Sequence, residues 1–248
     1  MTPEERTAWF LDAARLPTKI PAWEHHLHST FTDGTDTAEA LVLLALELGL
    51  ERVVFTEHTE PDLVMGPGWF PKYVQEIARL RDLYVGRLDV VTGLEVPALD
   101  FAGQFLLDEA DLESVAFLLG AVHRYPGVTW EEMPDLEPER GIDLEFRATM
   151  GLLDNPKIDC IAHPGGMCQH HITPFPMALF EEIVQKAVAN HIAVELNPGY
   201  QKPTLDPYLE ICRRHGAMIS PGSNAHKPRD LGLACRTLQG IVDWGAAT

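Results

Sequence analysis

Short apolar runs alternate along the chain with longer segments in which apolar residues recur at helical spacing. Seven of the short runs predict β-strands, over Trp23–His28, Arg52–Thr56, Leu88–Glu95, Val115–Val122, Ile158–Ala162, Ala193–Leu196 and Met218–Pro221. The segments between them predict helices over Thr37–Leu48, Pro71–Tyr84, Leu144–Leu153, Met177–Asn190 and Pro207–His215. Such alternation is typical of parallel strands joined by crossover helices. The predicted fold class is therefore α/β, and seven strands favour a barrel over an open sheet.

The chain length fits a single domain, because α/β barrels commonly contain about 200–250 residues and this chain has 248. We expect residues 1–21 to form an N-terminal helical extension and residues 22–248 to form the barrel. The segment Tyr125–Gly141 is rich in proline and glutamate and predicts a long loop that could act as a lid. A Rossmann fold is disfavoured, because no Gly-x-Gly-x-x-Gly turn follows the first strand, and a P-loop is also absent.

Metal-binding side chains stand at the ends of six of the seven predicted strands. They are, in chain order, His26, His28, His58, Glu95, His123, His163, Asn224 and His226. The strand ends of a parallel barrel meet on one face, where barrel enzymes carry their chemistry. Residues i and i+2 of a strand point the same way, so His26 and His28 can bind one ion together. Imidazole and carboxylate groups suit zinc, manganese or iron.

The remaining histidines do not fit this pattern. His25 is out of phase with its two neighbours and is expected to point away from them. Capping or hydrogen-bonding roles are expected for His170, His171, His191 and His215. Cys168 is interpreted as a loop thiol rather than a ligand.

The amino-acid composition limits the classes of ligand that the protein is expected to bind. The net charge of −18 comes from 19 basic and 37 acidic residues, which disfavours nucleic acid and anionic membrane surfaces as ligands. A small anionic substrate stays possible if bound cations reverse the charge locally. The four cysteines form no Cys-x-x-Cys pair, and the chain has neither an apolar signal core nor about 18 consecutive apolar residues. These features predict a cytoplasmic protein, and they leave its oligomeric state open.

The ordered motifs resemble those of the PHP (polymerase and histidinol phosphatase) family. The run His26-Leu27-His28-Ser29-Thr30-Phe31-Thr32-Asp33-Gly34 resembles the first motif of that family, and Thr56-Glu57-His58 resembles its second. The resemblance covers about residues 22 to 232. It implies a distorted seven-stranded (β/α) TIM-like barrel with a site for two or three divalent ions. By resemblance, one ion would bind His26, His28, Glu95 and position 224, a second Asp33, His58 and His226, and a third Glu95, His123 and His163.

Position 224 departs from the family pattern, which usually has aspartate where this chain has Asn224. An amide oxygen can bind a metal, but it is neutral and cannot accept a proton as a carboxylate does. We therefore expect the first ion to be held more weakly. Natural divergence and a deliberate substitution that slows turnover both explain the change.

The resemblance implies hydrolysis of a small phosphomonoester, with histidinol phosphate as the leading substrate. A water molecule, Asp33 or His226 could give a proton to the leaving alkoxide, and the expected phosphate clamps are Arg124, Arg147 and Lys202. The alternatives are a family phosphatase or phosphodiesterase acting on nucleotides or other phosphates, an amidohydrolase-type metal hydrolase, and a non-catalytic protein that binds metal or ligand. An amidohydrolase usually carries a carboxylated lysine after a middle strand, whereas this chain has Glu95 there.

Overall fold

Two compact units, each assembled from segments distant in sequence, make up the fold. The computed structural model describes residues 8–107, 109–201 and 205–246. One unit comprises Pro17–Glu95, Leu107–Leu118 and Pro221–Thr248; we call it the β2 unit, after its first strand, β2 (Trp23–Leu27). The other comprises Met1–Leu16, Val96–Leu106 and Leu119–Ser220; we call it the β7 unit, after β7 (Ala193–Leu196).

Parallel strands form the centre of the β2 unit. β2 pairs with β3 (Arg52–His58), and β3 pairs with β4 (Asp89–Pro97), in a register that places His58 opposite Glu95. Its helices are α1 (Ala38–Glu47), α2 (Trp69–Leu83), α3 (Glu109–Leu112) and α9 (Leu233–Ala246). Thr37 begins α1, where its side chain accepts a hydrogen bond from the Ala40 amide, as an N-cap residue does.

The β7 unit has the same alternation of strands and helices. Its strands besides β7 are β1 (Leu11–Asp12), β5 (Phe117–Ala121), β6 (Cys160–Ile161) and β8 (Met218–Pro221). Only the part of β5 from Leu119 onward belongs to this unit. The strand order is β1-β8-β7-β6-β5. β5, β6 and β7 pair in parallel, and β1 pairs antiparallel with β8. Its helices are α4 (Pro138–Leu152), α5 (Gly166–His171), α6 (Met177–Ala189), α7 (Pro198–Gln201) and α8 (Leu205–His215).

All seven predicted strands are present. The expected helical extension over residues 1–21 stays a prediction, because residues 1–7 lie outside the described part of the chain. The described residues after them are helical at Ala8 and Trp9 and then contain β1 and a 3-10 turn over Ala13–Arg15. Leu11 pairs with Ile219 and is buried, so β1 extends a sheet edge. A two-residue strand is too short to show an alternating pattern. The expected lid loop also holds a 3-10 turn, Met133–Asp135, and the first turn of α4.

No helix in the described part of the chain is long and apolar enough to cross a membrane.

A buried tyrosine ties two strands of the β2 unit together. The Tyr73 hydroxyl lies 2.9 Å from the Phe55 carbonyl oxygen and 2.7 Å from that of Gly93. Burial raises the pKa of Tyr73 well above its usual value, so the hydroxyl stays a donor. This contact anchors α2 on β3 and β4.

His25 is packed in the core of the same unit. Its ring stacks on Trp23 at 5.5 Å between ring centroids and lies 5.9 Å from the Phe117 ring. Burial, followed by the positive charge of Arg52, lowers the pKa of His25 to about 3. The folded protein therefore holds this imidazole neutral.

The depressed pKa of His25 predicts an acid-dependent loss of stability. Between the ordinary pKa of 6.5 and about 3, the unfolded chain binds a proton that the folded chain excludes. The free energy of unfolding should therefore fall as pH falls, by about 1.4 kcal/mol per pH unit from this group. His25→Phe keeps an aromatic ring at this position but removes the titratable imidazole. Urea unfolding between pH 6 and 4 should show a shallower pH slope in the variant, and equal slopes would contradict the prediction.

Candidate metal site

Two histidines at the end of β2 point their ring nitrogens at each other. His26 Nε2 and His28 Nε2 lie 3.1 Å apart, and both side chains are fully buried. The strand register shifts between Glu24 and Leu27. The i, i+2 spacing read from the sequence thus becomes a close pair of imidazoles.

Two oxygens complete this group of donors. Glu95 Oε2 lies 3.2 Å from His26 Nε2 and 3.5 Å from His28 Nε2. Asn224 Oδ1 lies 2.9 Å from His28 Nε2. Asn224 has a φ of 50°, in the left-handed region that asparagine and aspartate enter more readily than most residues. The structure therefore brings together the four residues of the first predicted ion.

A second group of donors lies beside the first, on its more exposed side. Asp33 Oδ1 is 3.1 Å from His226 Nε2 and 3.5 Å from His58 Nε2. Potential ligand atoms of His28, Asp33, His58 and His226 all lie within 4.8 Å of one another. The structure therefore brings together the residues of the second predicted ion, and His28 lies next to them.

Backbone hydrogen bonds hold the loops that carry these ligands. After β2, the amides of Thr32 and Gly34 donate to the Ser29 carbonyl at 3.1 and 3.0 Å. A Cβ on Gly34 would lie 2.2 Å from the His28 carbonyl oxygen, so this tight turn before α1 requires glycine. The His28 amide donates to the Ala225 carbonyl, and the Ala225 amide to the His26 carbonyl, both at 3.0 Å. The loop bearing Asn224 and His226 is thereby paired with β2.

The charges within the cluster shift its protonation. Burial, followed by the nearby charges of His58 and His226, lowers the pKa of His28 well below its usual value. Burial would raise the pKa of Asp33, but a hydrogen bond from His226 and the charges of His58 and His226 outweigh it and lower that pKa. Burial would lower the pKa of His226, but its hydrogen bond and charge interaction with Asp33 raise it. Neutral His28 is in the form that binds metals.

The donor set fits a divalent metal ion. Ligands about 2.1 Å from a tetrahedral zinc ion lie about 3.4 Å from one another. The distances among His26, His28 and Glu95 run from 3.1 to 3.5 Å, and Asn224 lies 2.9 Å from His28. Packing these electron-pair donors so closely away from water is costly without a cation to share. Nitrogen and carboxylate ligands of this kind suit zinc, manganese or iron.

His123 and His163 lie in the β7 unit, with ring centroids 5.8 Å apart. The His163 amide donates to Glu195 Oε2 at 2.7 Å, and its ring stacks on Tyr200 at 4.7 Å. His163 has a φ of 24°, a conformation that side chains rarely adopt and that is often found at functional sites. Their grouping with Glu95 around a third ion stays a prediction from the resemblance.

The three expected phosphate clamps stay predictions as well. Arg124 is exposed. Arg147 lies 3.3 Å from Asp143 and stacks over the Phe101 ring at 4.1 Å. Lys202 lies outside the described residues.

Three buried glutamates near the ligands were not predicted from the sequence: Glu24, Glu57 and Glu60. Glu60 Oε2 lies 3.6 Å from His58 Nδ1. Glu24 is two residues before His26, and Glu60 is two residues after His58. The i, i+2 rule that selected His26 and His28 could therefore have found both.

Comparison with known proteins identifies the family of the chain. The PHP domain model matches residues 24–199, so the chain belongs to the PHP domain family. A "Probable phosphatase" of Caldicellulosiruptor bescii is 26% identical over 231 residues, covering 88% of this chain and 85% of the relative. A "Probable histidinol-phosphatase" of Deinococcus radiodurans is 24% identical, covering 85% of this chain and 88% of the relative.

A solved structure shows the fold. The crystal structure of a histidinol phosphate phosphatase from Lactococcus lactis, complexed with zinc, L-histidinol and phosphate, aligns with a TM-score of 0.68 at 19% identity. The alignment covers 89% of this chain and 92% of that one. The chain therefore has the α/β fold of the TIM-like PHP barrels, as the sequence predicted.

The neutral amide at position 224 generates a prediction about metal affinity. Asn224→Asp adds a negative charge beside His28. Two unit charges about 4 Å apart attract each other by about 1 kcal/mol in water and by about 4 kcal/mol near a protein surface. Titration of the metal-free protein with Mn²⁺ should show at least about tenfold tighter binding in this variant. Asn224→Ala, which removes the oxygen, should bind more weakly than the wild type. Equal affinities in the wild type and Asn224→Asp would show that position 224 does not contact an ion.

Proposed function

We propose that the protein is a metal-dependent phosphatase that hydrolyses a small phosphomonoester. The observation that carries this proposal is the convergence of His26, His28, Glu95 and Asn224 beside Asp33, His58 and His226. Membership of the PHP domain family and the phosphatase names of its relatives support it.

The two donor groups would have separate tasks. His26, His28, Glu95 and Asn224 would hold one ion, and Asp33, His58 and His226 would hold another. Divalent ions bound there would lower the pKa of a water molecule and neutralise phosphoryl oxygens as charge develops. This local positive charge would let an acidic protein accept a phosphate ester.

In this proposal Asp33 or His226 would donate a proton to the leaving group. Their side chains are 37% and 29% exposed, whereas those of His26, His28 and Glu95 are fully buried. A leaving alkoxide would approach this exposed side, and whichever of the two is not bound to the second ion would donate the proton. Proton donation by a positioned side chain of this kind is general acid catalysis.

Histidinol phosphate is the substrate that the relatives favour. The Deinococcus relative carries the name "Probable histidinol-phosphatase", and the Lactococcus structure contains L-histidinol and phosphate. Nucleotides and other phosphomonoesters have the same reacting group and are the next substrates to assay. Asn224 favours a second candidate function, a protein that binds metal and ligand without turnover, because a neutral ligand weakens the first ion.

The test is a phosphatase assay with added metal. Wild type and Asn224→Asp should be incubated with histidinol phosphate, nucleoside monophosphates and p-nitrophenyl phosphate in the presence of Mn²⁺ or Zn²⁺, and released phosphate measured. We expect turnover that a chelator abolishes, and higher activity in Asn224→Asp. Activity in the aspartate variant alone would indicate an intact site with a weak first ion. No activity in either protein would exclude the phosphatase proposal.

A further inference from the structure

A buried carboxylate holds the loop that carries Asp33. Glu57 is fully buried in the β2 unit, next to His58. Its Oε1 accepts from the Ser29 amide at 3.0 Å and from the Ser29 hydroxyl at 2.5 Å. Its Oε2 accepts from the Thr32 hydroxyl. Both oxygens of Glu57 are therefore used on the turn that ends at Asp33.

A second buried carboxylate holds the loop that carries Asn224 and His226. Glu24 Oε1 accepts from the Ser223 amide at 2.8 Å and from the His26 amide at 3.1 Å. Its Oε2 accepts from the Gly232 amide at 2.8 Å. Glu24 thus joins the backbone on both sides of the Asn224–His226 segment to β2.

Both carboxylates are costly to bury, since an ionised group loses its water shell. Burial raises the pKa of Glu24 to about 7 and that of Glu57 to about 7, and the hydrogen bonds lower these values only in part. Neither side chain belongs to the groups that could share an ion. Each instead accepts hydrogen bonds from a loop bearing candidate ligands.

We propose that Glu24 and Glu57 are positioning residues that fix the two ligand-bearing loops of the β2 unit in the geometry needed to bind ions. This inference rests on the proposed metal-dependent function. Residues that orient metal ligands without touching the ion commonly contribute 10- to 100-fold to metal affinity or activity. Asp33, Asn224 and His226 lie on loops outside the strands, so their placement depends on such anchors.

The two carboxylates differ in the kind of donor they accept. Each oxygen of Glu24 accepts from at least one backbone amide, whose polarity cannot reverse, although the Ser223 side chain also donates to Glu24. A glutamine there would point its amide group at a backbone N–H and leave a buried donor unpaired. Glu57 Oε2 faces a hydroxyl, which can rotate and accept. A glutamine at position 57 can therefore keep the contacts, whereas an alanine cannot.

The experiment compares Glu24→Gln, Glu57→Gln and Glu57→Ala with the wild type. Mn²⁺ affinity of the metal-free proteins should fall about 10- to 100-fold in Glu24→Gln and Glu57→Ala. It should stay within about threefold in Glu57→Gln, because the rotating hydroxyl restores the hydrogen bond. Amide exchange in the metal-free protein should speed up at Ser223 and Gly232 in Glu24→Gln and at Ser29 in Glu57→Ala.

Tyr73→Phe is the matched control. It removes a buried hydroxyl whose two acceptors, the Phe55 and Gly93 carbonyls, lie in strands of the same unit, and it keeps the ring that packs against Phe31. Its Mn²⁺ affinity should equal that of the wild type. Wild-type affinity in both Glu24→Gln and Glu57→Ala, with unchanged amide exchange, would overturn the proposal. A loss in Tyr73→Phe as large as in those variants would also overturn it, because any destabilisation would then suffice.

The outcomes separate this proposal from the phosphatase proposal. If the wild type binds no metal and hydrolyses nothing, the phosphatase proposal fails, while amide exchange still tests the loop anchoring. If Glu57→Ala does not fold, Ser29→Ala combined with Thr32→Val removes the same side-chain hydrogen bonds. If Glu24→Gln does not fold, the role of Glu24 is tested by the protection of the Ser223 and Gly232 amides from hydrogen exchange in the wild type. Fast exchange of both would overturn the role of Glu24.

Discussion

The close approach of two imidazole nitrogens, His26 Nε2 and His28 Nε2, is the interaction on which the rest of the β2 unit depends. Glu95 lies within 3.5 Å of both nitrogens and the part-buried Asn224 lies 2.9 Å from His28, so four electron-pair donors are crowded together. A shared cation makes such a cluster favourable, whereas unshared donors would cost free energy through lost hydration. The tight turns and buried carboxylates around this cluster are therefore explained as the framework of a metal site.

The strand pattern was enough to predict the fold class and most of the cluster. Strand ends placed His26, His28, His58 and Glu95 on one edge, and the register of β3 with β4 sets His58 opposite Glu95. Periodicity cannot show which side chains tie loops to strands, because the partners are distant in sequence. Glu24 lies 199 residues before Ser223, whose backbone amide donates a hydrogen bond to it. The N-terminal strand β1 was missed for a similar reason, since only its partner β8 makes it a strand.

Asn224 affects the net charge of the proposed ligands, because its amide is neutral. Its side-chain oxygen lies 2.9 Å from His28 Nε2, so a neutral amide stands at the position where the resemblance implies an aspartate. The remaining carboxylates near the histidines are Glu95, Asp33 and Glu60. An acidic protein with a net charge of −18 accepts a phosphate ester only where bound cations dominate locally. Weaker binding of one ion would therefore lower phosphate affinity as well as turnover.

Binding of divalent ions by the cluster in the β2 unit can be observed by anomalous diffraction from crystals grown with saturating Mn²⁺ or Zn²⁺. We expect anomalous peaks about 2.0–2.3 Å from His28, His58 and His226 nitrogens and from Asp33 or Glu95 oxygens. A clean map with no anomalous peak among these side chains at saturating metal would contradict this expectation.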